Sequence, residues 1–152
     1  MEKIASFCID HDKLCPGIYV SRIDHDDIVT YDLRFKKPNN GDFLTPAAAH
    51  TIEHIFATHI RSSELADKVV YFGPMGCLTG FYLILKGASY AEAIAQIKDT
   101  IRFTAEYEGE IPGAKKIECG NYMMQDLPAA KAETENYLSV IAEWQEKDLV
   151  YP

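Results

Sequence analysis

Residues 28–35 read IVTYDLRF, and this stretch decides the class of fold. Apolar and polar side chains alternate along it with a period of two residues. Such a period is typical of a β-strand that buries one face and keeps the other polar. The buried face is predicted to carry Val29, Tyr31, Leu33 and Phe35. Together with the sequence just before it, the stretch predicts an antiparallel strand pair over 18–23 and 27–35.

Helix starts and turns follow this strand pair along the chain. Thr45 followed by Pro46 is typical of a helix N-terminus, and Ser89 with Glu92 is typical of a capping box. The further predicted elements are a helix over 46–61, strands over 69–72 and 78–86 around the turn GPMG, a helix to about residue 107 closed by Gly109, and a helix over 128–147 with Leu138, Ile141 and Trp144 inward. Strands and helices do not alternate in the crossover pattern of a parallel sheet. We therefore expect an α+β fold: a single domain over 1–152, with an antiparallel β-sheet and helices packed on one face.

The composition argues against several classes of protein. The chain has 152 residues, 47% of them hydrophobic, and a formal net charge of −8. A negative balance disfavours nucleic acid and anionic membranes as partners. The longest apolar run, around FYLIL at 81–85, is too short to span a bilayer, and the start MEKIASFCIDHDKL has no apolar signal region. We expect a cytoplasmic protein whose four cysteines are thiols or metal ligands.

Residues 50–54 read HTIEH, a pattern that indicates a metal site on a helix. Side chains four residues apart stack on one helix face, so His50 and His54 are predicted to converge. Glu53 lies on the same side of the helix. The far side, which can face the core, carries Ile52, Ile55 and Phe56. His59 is about 180° from His50 around the helix axis, so we interpret it as structural.

A catalytic metal site commonly takes three protein ligands, so a third must come from elsewhere in the chain. Cys119, in CGNY after a glycine-containing loop, is the candidate we favour. The rivals are Glu133 and Glu135 of the last helix, either of which would complete an inverzincin-type metallopeptidase with Glu53 as its base. A metal-binding protein without catalysis is a third class. Two histidines and a thiolate suit Zn²⁺ or Fe²⁺, and the sequence does not choose between them.

A second thiol belongs to Cys77, which follows the turn GPMG. Glycines in a tight turn expose the backbone and let a substrate approach. Beside a metal and a glutamate, such a thiol is a candidate acid/base group, because a nearby cation stabilises thiolate. A thiol buried in the core is the alternative interpretation.

The motifs, taken in order, resemble those of S-ribosylhomocysteine lyase, the LuxS family of autoinducer-2 synthesis. They are SFxxDH (Ser6 to His11), YDLRF, HTIEH, GPMGC followed by TG, and CGNY. The matches run from residue 6 to residue 127. One departure is visible: Tyr71-Phe72-Gly73 precede PMGC where some members of the family carry an acidic residue and a serine.

The resemblance implies a role for each matched residue. The metal ligands would be His50, His54 and Cys119, holding one divalent metal per subunit: ferrous iron in the active enzyme and often zinc in isolated protein. The general acid/base groups would be Glu53 and Cys77, and the substrate contacts Ser6, His11 and Arg34. The implied enzyme is an α+β homodimer with active sites shared at the subunit interface. Its implied reaction splits S-ribosylhomocysteine into homocysteine and 4,5-dihydroxy-2,3-pentanedione by carbonyl migration and β-elimination.

Overall fold

The computed structural model describes residue 4 and residues 7–152 of the chain. Within these residues the strands are β1 (Gly17–Asp24), β2 (Ile28–Arg34), β3 (Val69–Pro74) and β4 (Gly80–Lys86). The helices are α1 (Pro46–Ile60), α2 (Tyr90–Ala105) and α3 (Leu127–Ile141), and short 3₁₀ turns lie at Ala66–Lys68 and Glu146–Asp148. The predicted elements are therefore present, with ends that differ by a few residues.

The strands form one antiparallel sheet in the order β1-β2-β4-β3. In its register, Tyr31 of β2 lies opposite Val20 of β1 and Leu83 of β4. The IVTYDLRF stretch is thus an inner strand, which is why nearly all of its residues are buried. The α+β class and the antiparallel sheet expected from the sequence are confirmed.

The core lies on one face of this sheet. Side chains alternate between the two faces of a strand, so Tyr31 and Leu33 point to the same side, and both are fully buried. They pack in one cluster with side chains from all three helices, among them Phe56, Ile97 and Tyr137. The helices therefore cover this face, as expected, and the opposite alternation places Thr30, Asp32 and Arg34 on the other face.

The predicted helix starts are correct, and two predicted ends are not. Thr45 Oγ1 accepts from the Ala48 amide at 3.2 Å, and the Ser89–Glu92 capping box is complete. The end predicted at about residue 107 is wrong, because α2 stops at Ala105 and Gly109 lies beyond its cap residue.

The end predicted for the last helix is also wrong, because α3 stops at Ile141 rather than near residue 147. The Lys98 ammonium on α2 donates to the Ala142 and Trp144 carbonyl oxygens at 2.7 and 2.9 Å. These carbonyls are thereby satisfied outside a helix. Trp144 lies beyond the end of α3, and its indole N–H donates to the Ile18 carbonyl oxygen at 2.8 Å.

No helix in the described part of the chain is both long enough and apolar enough to cross a membrane.

Candidate active site

His50 and His54 meet on the half-buried face of α1, one helical turn apart. Their rings are perpendicular, with centroids 4.5 Å apart, and their Nε2 atoms lie 2.9 Å from each other. The opposite face of α1 carries fully buried Ile52, Ile55 and Phe56. The helix is thus anchored by one face and presents two imidazoles on the other, as the HTIEH spacing predicts.

The protonation of the two rings follows from their outer nitrogens. His50 Nδ1 lies 2.8 Å from the Met124 carbonyl oxygen, and His54 Nδ1 lies 2.6 Å from the Pro112 carbonyl oxygen. A carbonyl oxygen only accepts, so both Nδ1 atoms carry the proton. In the neutral rings both Nε2 atoms then hold lone pairs that face each other. A positive charge between them, either a metal ion or an added proton, is needed to stabilise the contact.

Cys119 supplies a third donor atom to the same point. Its Sγ lies 3.5 Å from His50 Nε2, and the three donor atoms of His50, His54 and Cys119 all lie within 4.8 Å of one another. A tetrahedral zinc with metal–nitrogen distances of about 2.0 Å and a metal–sulfur distance of about 2.3 Å requires nitrogen–sulfur separations of about 3.5 Å. The donor set therefore fits one divalent metal ion, and two nitrogens with one sulfur suit Zn²⁺ or Fe²⁺.

The loop that carries Cys119 is ordered around its sulfur. The Cys119 amide donates to the Lys115 carbonyl oxygen at 3.0 Å, and the Asn121 amide points to Sγ at 3.4 Å. Cysteine binds a metal ion as the thiolate. This loop also contributes the carbonyls of Pro112 and Met124 to the histidine rings, so it encloses both rings.

The rival third ligands lie elsewhere. The carboxylate of Glu133 pairs with the Lys36 ammonium at 2.8 Å, and Glu135 is exposed on α3. Among the described residues, the only group of histidine, cysteine and carboxylate side chains close enough to hold a metal is His50, His54 and Cys119. A metallopeptidase site is therefore not favoured.

Two other residues of α1 occupy the positions that helix geometry predicts for them. Glu53 is half-buried on the histidine side of the helix. His59 turns to α2, where its ring stacks on Phe103 at 4.0 Å between centroids and its Nδ1 lies 3.2 Å from Thr100 Oγ1. His59 thus joins two helices and takes no part in the metal cluster.

Cys77 sits at the tip of the turn that joins β3 to β4. The Leu78 amide donates to the Met75 carbonyl oxygen, and the Met75 amide to the Gly80 carbonyl oxygen, both at 2.9 Å. Leu78 adopts a left-handed backbone with φ of 57°, a conformation that costs a branched residue energy and is often retained at functional sites. The Cys77 side chain is exposed, so it is not the buried core thiol of the alternative interpretation.

Arg34 reaches this turn from the adjacent strand. Its guanidinium donates to Thr79 Oγ1 and to Asp32 Oδ2, and Thr79 Oγ1 lies 3.0 Å from Cys77 Sγ. Two predicted site residues, Arg34 and Cys77, are thereby brought together within one chain. On its other side, Asp32 Oδ2 accepts from the Tyr151 hydroxyl at 2.9 Å.

His11 belongs to the same neighbourhood. Burial raises the pKa of Asp32, and Arg34, Tyr151 and His11 each act in the opposite direction, so the His11 imidazole lies within electrostatic range of that carboxylate. His11 is half-buried, with its Nδ1 2.9 Å from the Ile9 carbonyl oxygen. Ser6, the remaining predicted substrate contact, lies outside the described residues.

Further residues of the site were not singled out from the sequence. Thr51 Oγ1, fully buried inside HTIEH, donates to Gln125 Oε1 at 2.7 Å, and the Gln125 amide nitrogen lies 3.3 Å from His50 Nδ1. Thr51, Gln125, Thr79 and Tyr151 are common surface or core types with no signal of their own. Only their positions inside or beside the motifs could have drawn attention to them.

The departure at Tyr71-Phe72-Gly73 has a local structural basis. Phe72 is buried and stacks on Phe56 at 3.9 Å between centroids, so it belongs to the core. Tyr71 is 48% exposed, and its ring lies over Gly73. A Cβ added at position 73 would lie 2.0 Å from the Tyr71 hydroxyl oxygen.

Comparison with known proteins agrees with the geometry. The sequence model described as S-Ribosylhomocysteinase (LuxS) matches residues 4–148. A protein of Phocaeicola vulgatus named S-ribosylhomocysteine lyase is 48% identical, over 99% of this chain and 97% of its own length. Proteins of the same name from Desulfotalea psychrophila and Borreliella burgdorferi are 50% and 46% identical, over 100% of this chain and 99% and 100% of theirs. The chain belongs to the S-ribosylhomocysteinase (LuxS) family.

Proposed function

We propose that this chain is a carbon–sulfur lyase that splits S-ribosylhomocysteine into homocysteine and 4,5-dihydroxy-2,3-pentanedione, the precursor of autoinducer-2. The observation that carries the proposal is the convergence of His50, His54 and Cys119 on one point, in a chain whose relatives of 46 to 50% identity are named for this reaction. The relatives and this chain overlap over nearly their whole lengths, so the proposal concerns the entire enzyme.

The reaction needs acid/base groups for a reason set by the substrate. The sulfur is attached to C5 of the ribose, and its elimination requires a carbanion at C4. Such a carbanion forms only beside a carbonyl at C3, whereas the open-chain sugar begins with its carbonyl at C1. The carbonyl must move from C1 to C2 and then to C3, each time by loss of a proton, an enediol or enediolate, and return of a proton. Elimination then releases homocysteine as a thiolate that takes up a proton.

Two side chains of this chain are assigned to the proton transfers. Cys77, as thiolate at an exposed turn, takes the proton from carbon and returns it to the neighbouring carbon. Glu53, on the histidine side of α1, moves protons among the sugar oxygens. Groups positioned in this way typically contribute about 10²–10⁴-fold each to the rate.

A divalent metal held by His50, His54 and Cys119 would supply Lewis-acid polarisation of the sugar oxygens. We assign Fe²⁺ as the physiological metal, with Zn²⁺ as the ion acquired by isolated protein. The donor set supports both ions. Ser6, His11 and Arg34 are assigned to substrate binding, and the charge of Arg34 beside the Cys77 turn supports its share of this role.

We further propose that the chain works as a homodimer with shared active sites. On the sheet face that carries Thr30, the Ile4 and Tyr71 side chains are about half exposed in the single chain, and they line one hollow with Tyr82 and Ile84. Apolar surface of this kind is typical of a protein interface. The family resemblance points to a second copy of this chain as the partner.

The activity is tested by incubating protein loaded with Fe²⁺ under anaerobic conditions with S-ribosylhomocysteine. We expect one free thiol per substrate consumed, together with the dione. No thiol release by metal-loaded protein would refute the lyase. Hydrolysis of peptides, abolished in Glu133→Gln but not in Cys119→Ala, would establish the peptidase instead.

The shared site is tested by exchanging subunits between Cys77→Ala and Cys119→Ala protein. If each site takes its metal ligands from one subunit and Cys77 from the other, half of the sites in a mixed dimer are intact and activity returns. The pair Arg34→Ala and Cys77→Ala is the matched control, since both residues belong to one cluster and no activity should return. A monomer by light scattering at assay concentration would refute the dimer.

A further inference from the structure

We propose that Thr79 is a positioning residue for Cys77: its hydroxyl, held by Arg34, donates to the Cys77 sulfur and fixes where the thiolate points. The inference rests on the proposed function, in which Cys77 exchanges a proton with the substrate. It adds a residue that neither touches the metal cluster nor carries acid/base chemistry itself.

The direction of the hydrogen bonds follows from the chemistry of the groups. A guanidinium has five N–H donors and no acceptor, so Thr79 Oγ1 must accept from Arg34. The hydroxyl proton of Thr79 then points away from Arg34. Among the side-chain contacts of the described residues, its partner is Cys77 Sγ, at 3.0 Å. Either atom of this contact can donate, but a thiolate has no proton to give, so when Cys77 is the thiolate of the proposed mechanism the Thr79 hydroxyl is the donor.

Thr79 is itself held rigidly, whereas Cys77 is not. Thr79 is buried, and its carbonyl oxygen accepts from the Phe35 and Lys36 amides at 3.0 and 2.9 Å, which fixes it to the end of β2. Cys77 is exposed at the turn tip, where its side chain is free to take several rotamers. The hydroxyl of Thr79 is the described contact that selects one of them.

The donor end of the series is anchored as well. Arg34 is 2% exposed and is clamped by Asp32, which also accepts from the Tyr151 hydroxyl. Burial acts to lower the pKa of Arg34 and Asp32 acts to raise it, with a net rise, so Arg34 stays charged throughout the pH range of an enzyme. The guanidinium thus cannot retract from Thr79 without breaking a buried ion pair.

The tyrosines near Arg34 and Cys77 stay neutral over the pH range of the test. Burial raises the pKa of Tyr82, and Cys77 and Asp32 act in the same direction, so the Tyr82 phenol stays neutral. Burial also raises the pKa of Tyr151. His11 acts on the Asp32 carboxyl through space, and among the described residues its side chain hydrogen-bonds to the Ile9 carbonyl oxygen and not to Cys77. A change in Cys77 reactivity on altering Thr79 therefore reports on the hydroxyl.

The test compares Thr79→Val, which keeps the shape and loses the hydroxyl, with Thr79→Ser, which keeps the hydroxyl. The rate of alkylation of Cys77 by iodoacetamide is followed against pH in the full-length, metal-loaded chain, with peptide mass spectrometry to separate Cys77 from the other thiols. We expect Thr79→Val to move the midpoint upward by about one pH unit, a tenfold smaller thiolate fraction below it, and Thr79→Ser to stay near the unmodified chain. Thermal unfolding checks that both variants fold.

Two outcomes would overturn the proposal. One is a Thr79→Val midpoint equal to that of the unmodified chain. The other is an equal shift in Thr79→Ser, which would make the residue merely structural. In the lyase assay Thr79→Val is expected to lose about tenfold in kcat with KM unchanged, since the hydroxyl acts on the reacting thiol. The alkylation profile needs no substrate, so a failure of the lyase assignment leaves this measurement intact.

Discussion

The Nε2 atoms of His50 and His54 lie 2.9 Å apart, and the other nitrogen of each ring is directed at a backbone carbonyl oxygen. The two carbonyls belong to Pro112 and Met124, at either end of the loop that carries Cys119. One loop therefore sets the tautomer of both histidines and delivers the third donor. Binding of a cation at this point is coupled to the conformation of the loop.

Loss of the sulfur should remove most of the bound metal. Cys119→Ala deletes one of three donors, and the affinity for Zn²⁺ should fall by more than about 100-fold, beyond the range typical for changes around a ligand. Metal content after dialysis against a chelator measures this. Cys15→Ala is the control, because Cys15 is exposed and outside the metal cluster. Retention of stoichiometric metal by Cys119→Ala, with loss in Glu133→Gln, would identify Glu133 as the ligand.

The hydroxyl of Thr51 should matter to metal binding without touching the metal. It donates to Gln125 Oε1 and accepts from the Asp126 amide at 2.9 Å, so Thr51→Val frees the loop end beside Met124, whose carbonyl oxygen orients the His50 ring. We expect a loss of about 10–100-fold in metal affinity, measured by competition with a chromogenic chelator. Thr58→Val, an exposed change on the same helix, should bind as the unmodified chain does. Equal affinity in both variants would show that the position of the Met124 carbonyl does not depend on the Thr51 hydroxyl.

The acid/base groups should be separable from the ligands. Glu53→Gln and Cys77→Ala leave His50, His54 and Cys119 in place, so each variant is expected to keep one metal per chain. Each should lose about 10²–10⁴-fold in thiol release from S-ribosylhomocysteine. Substantial activity in either variant, measured with its metal content alongside, would remove that residue from the mechanism.

The C-terminal Tyr151 should contribute to stability through Asp32. The carboxylate is fully buried, and one of its oxygens accepts from both Arg34 and the Tyr151 hydroxyl. Tyr151→Phe deletes a hydrogen bond to a buried charged group, at a cost of about 1–3 kcal/mol in the free energy of unfolding. Urea denaturation measures it, with Tyr122→Phe, at an exposed position, as the control. Equal urea midpoints for Tyr151→Phe and Tyr122→Phe would contradict a stabilising role for the Tyr151 hydroxyl.

The start of α2 should weaken in acid. Backbone and side-chain hydrogen bonds from Ser89, with a further one from Lys68, lower the pKa of Glu92 from its ordinary 4.5 to about 2. The ionised carboxylate therefore stabilises the folded chain above pH 4.5, and this contribution is lost as the pH falls toward 2. The unmodified chain should lose more stability over that window than Glu92→Gln, which has no charge to lose. If the unmodified chain and Glu92→Gln lose the same stability between pH 4.5 and 2, the Glu92 charge contributes nothing to it.

The parts of the site that the sequence predicts are those fixed by local geometry. A helix places residues four apart on one face, so the meeting of His50 and His54 follows from their spacing. The alternation in IVTYDLRF likewise assigns Leu33 to the core face and Arg34 to the opposite one, and the structure agrees. The motif CGNY favours Cys119 over Glu133 as the third ligand, and the sulfur does lie beside the histidines.

The parts that the sequence does not predict depend on contacts between distant segments. Beyond the end of α3, the Ala142 carbonyl accepts from Lys98, 44 residues earlier in the chain. The contact between His50 and Gln125 spans 75 residues, and no local pattern encodes it. Arg34 reaches the Cys77 turn because β2 pairs with β4 in a register that places Arg34 opposite Gly80. Local periodicity carries none of this information.

The Tyr71 hydroxyl occupies the space that a side chain at position 73 would need. The two positions are consequently coupled, and because Tyr71 is 48% exposed, rotation of its ring relieves the clash. A lineage that replaces Gly73 first must push the Tyr71 ring off the strand, whereas one that first exchanges Tyr71 for a short residue opens the space before it is filled. A combinatorial library randomised at both positions should therefore yield residues larger than glycine at 73 chiefly alongside small residues at 71.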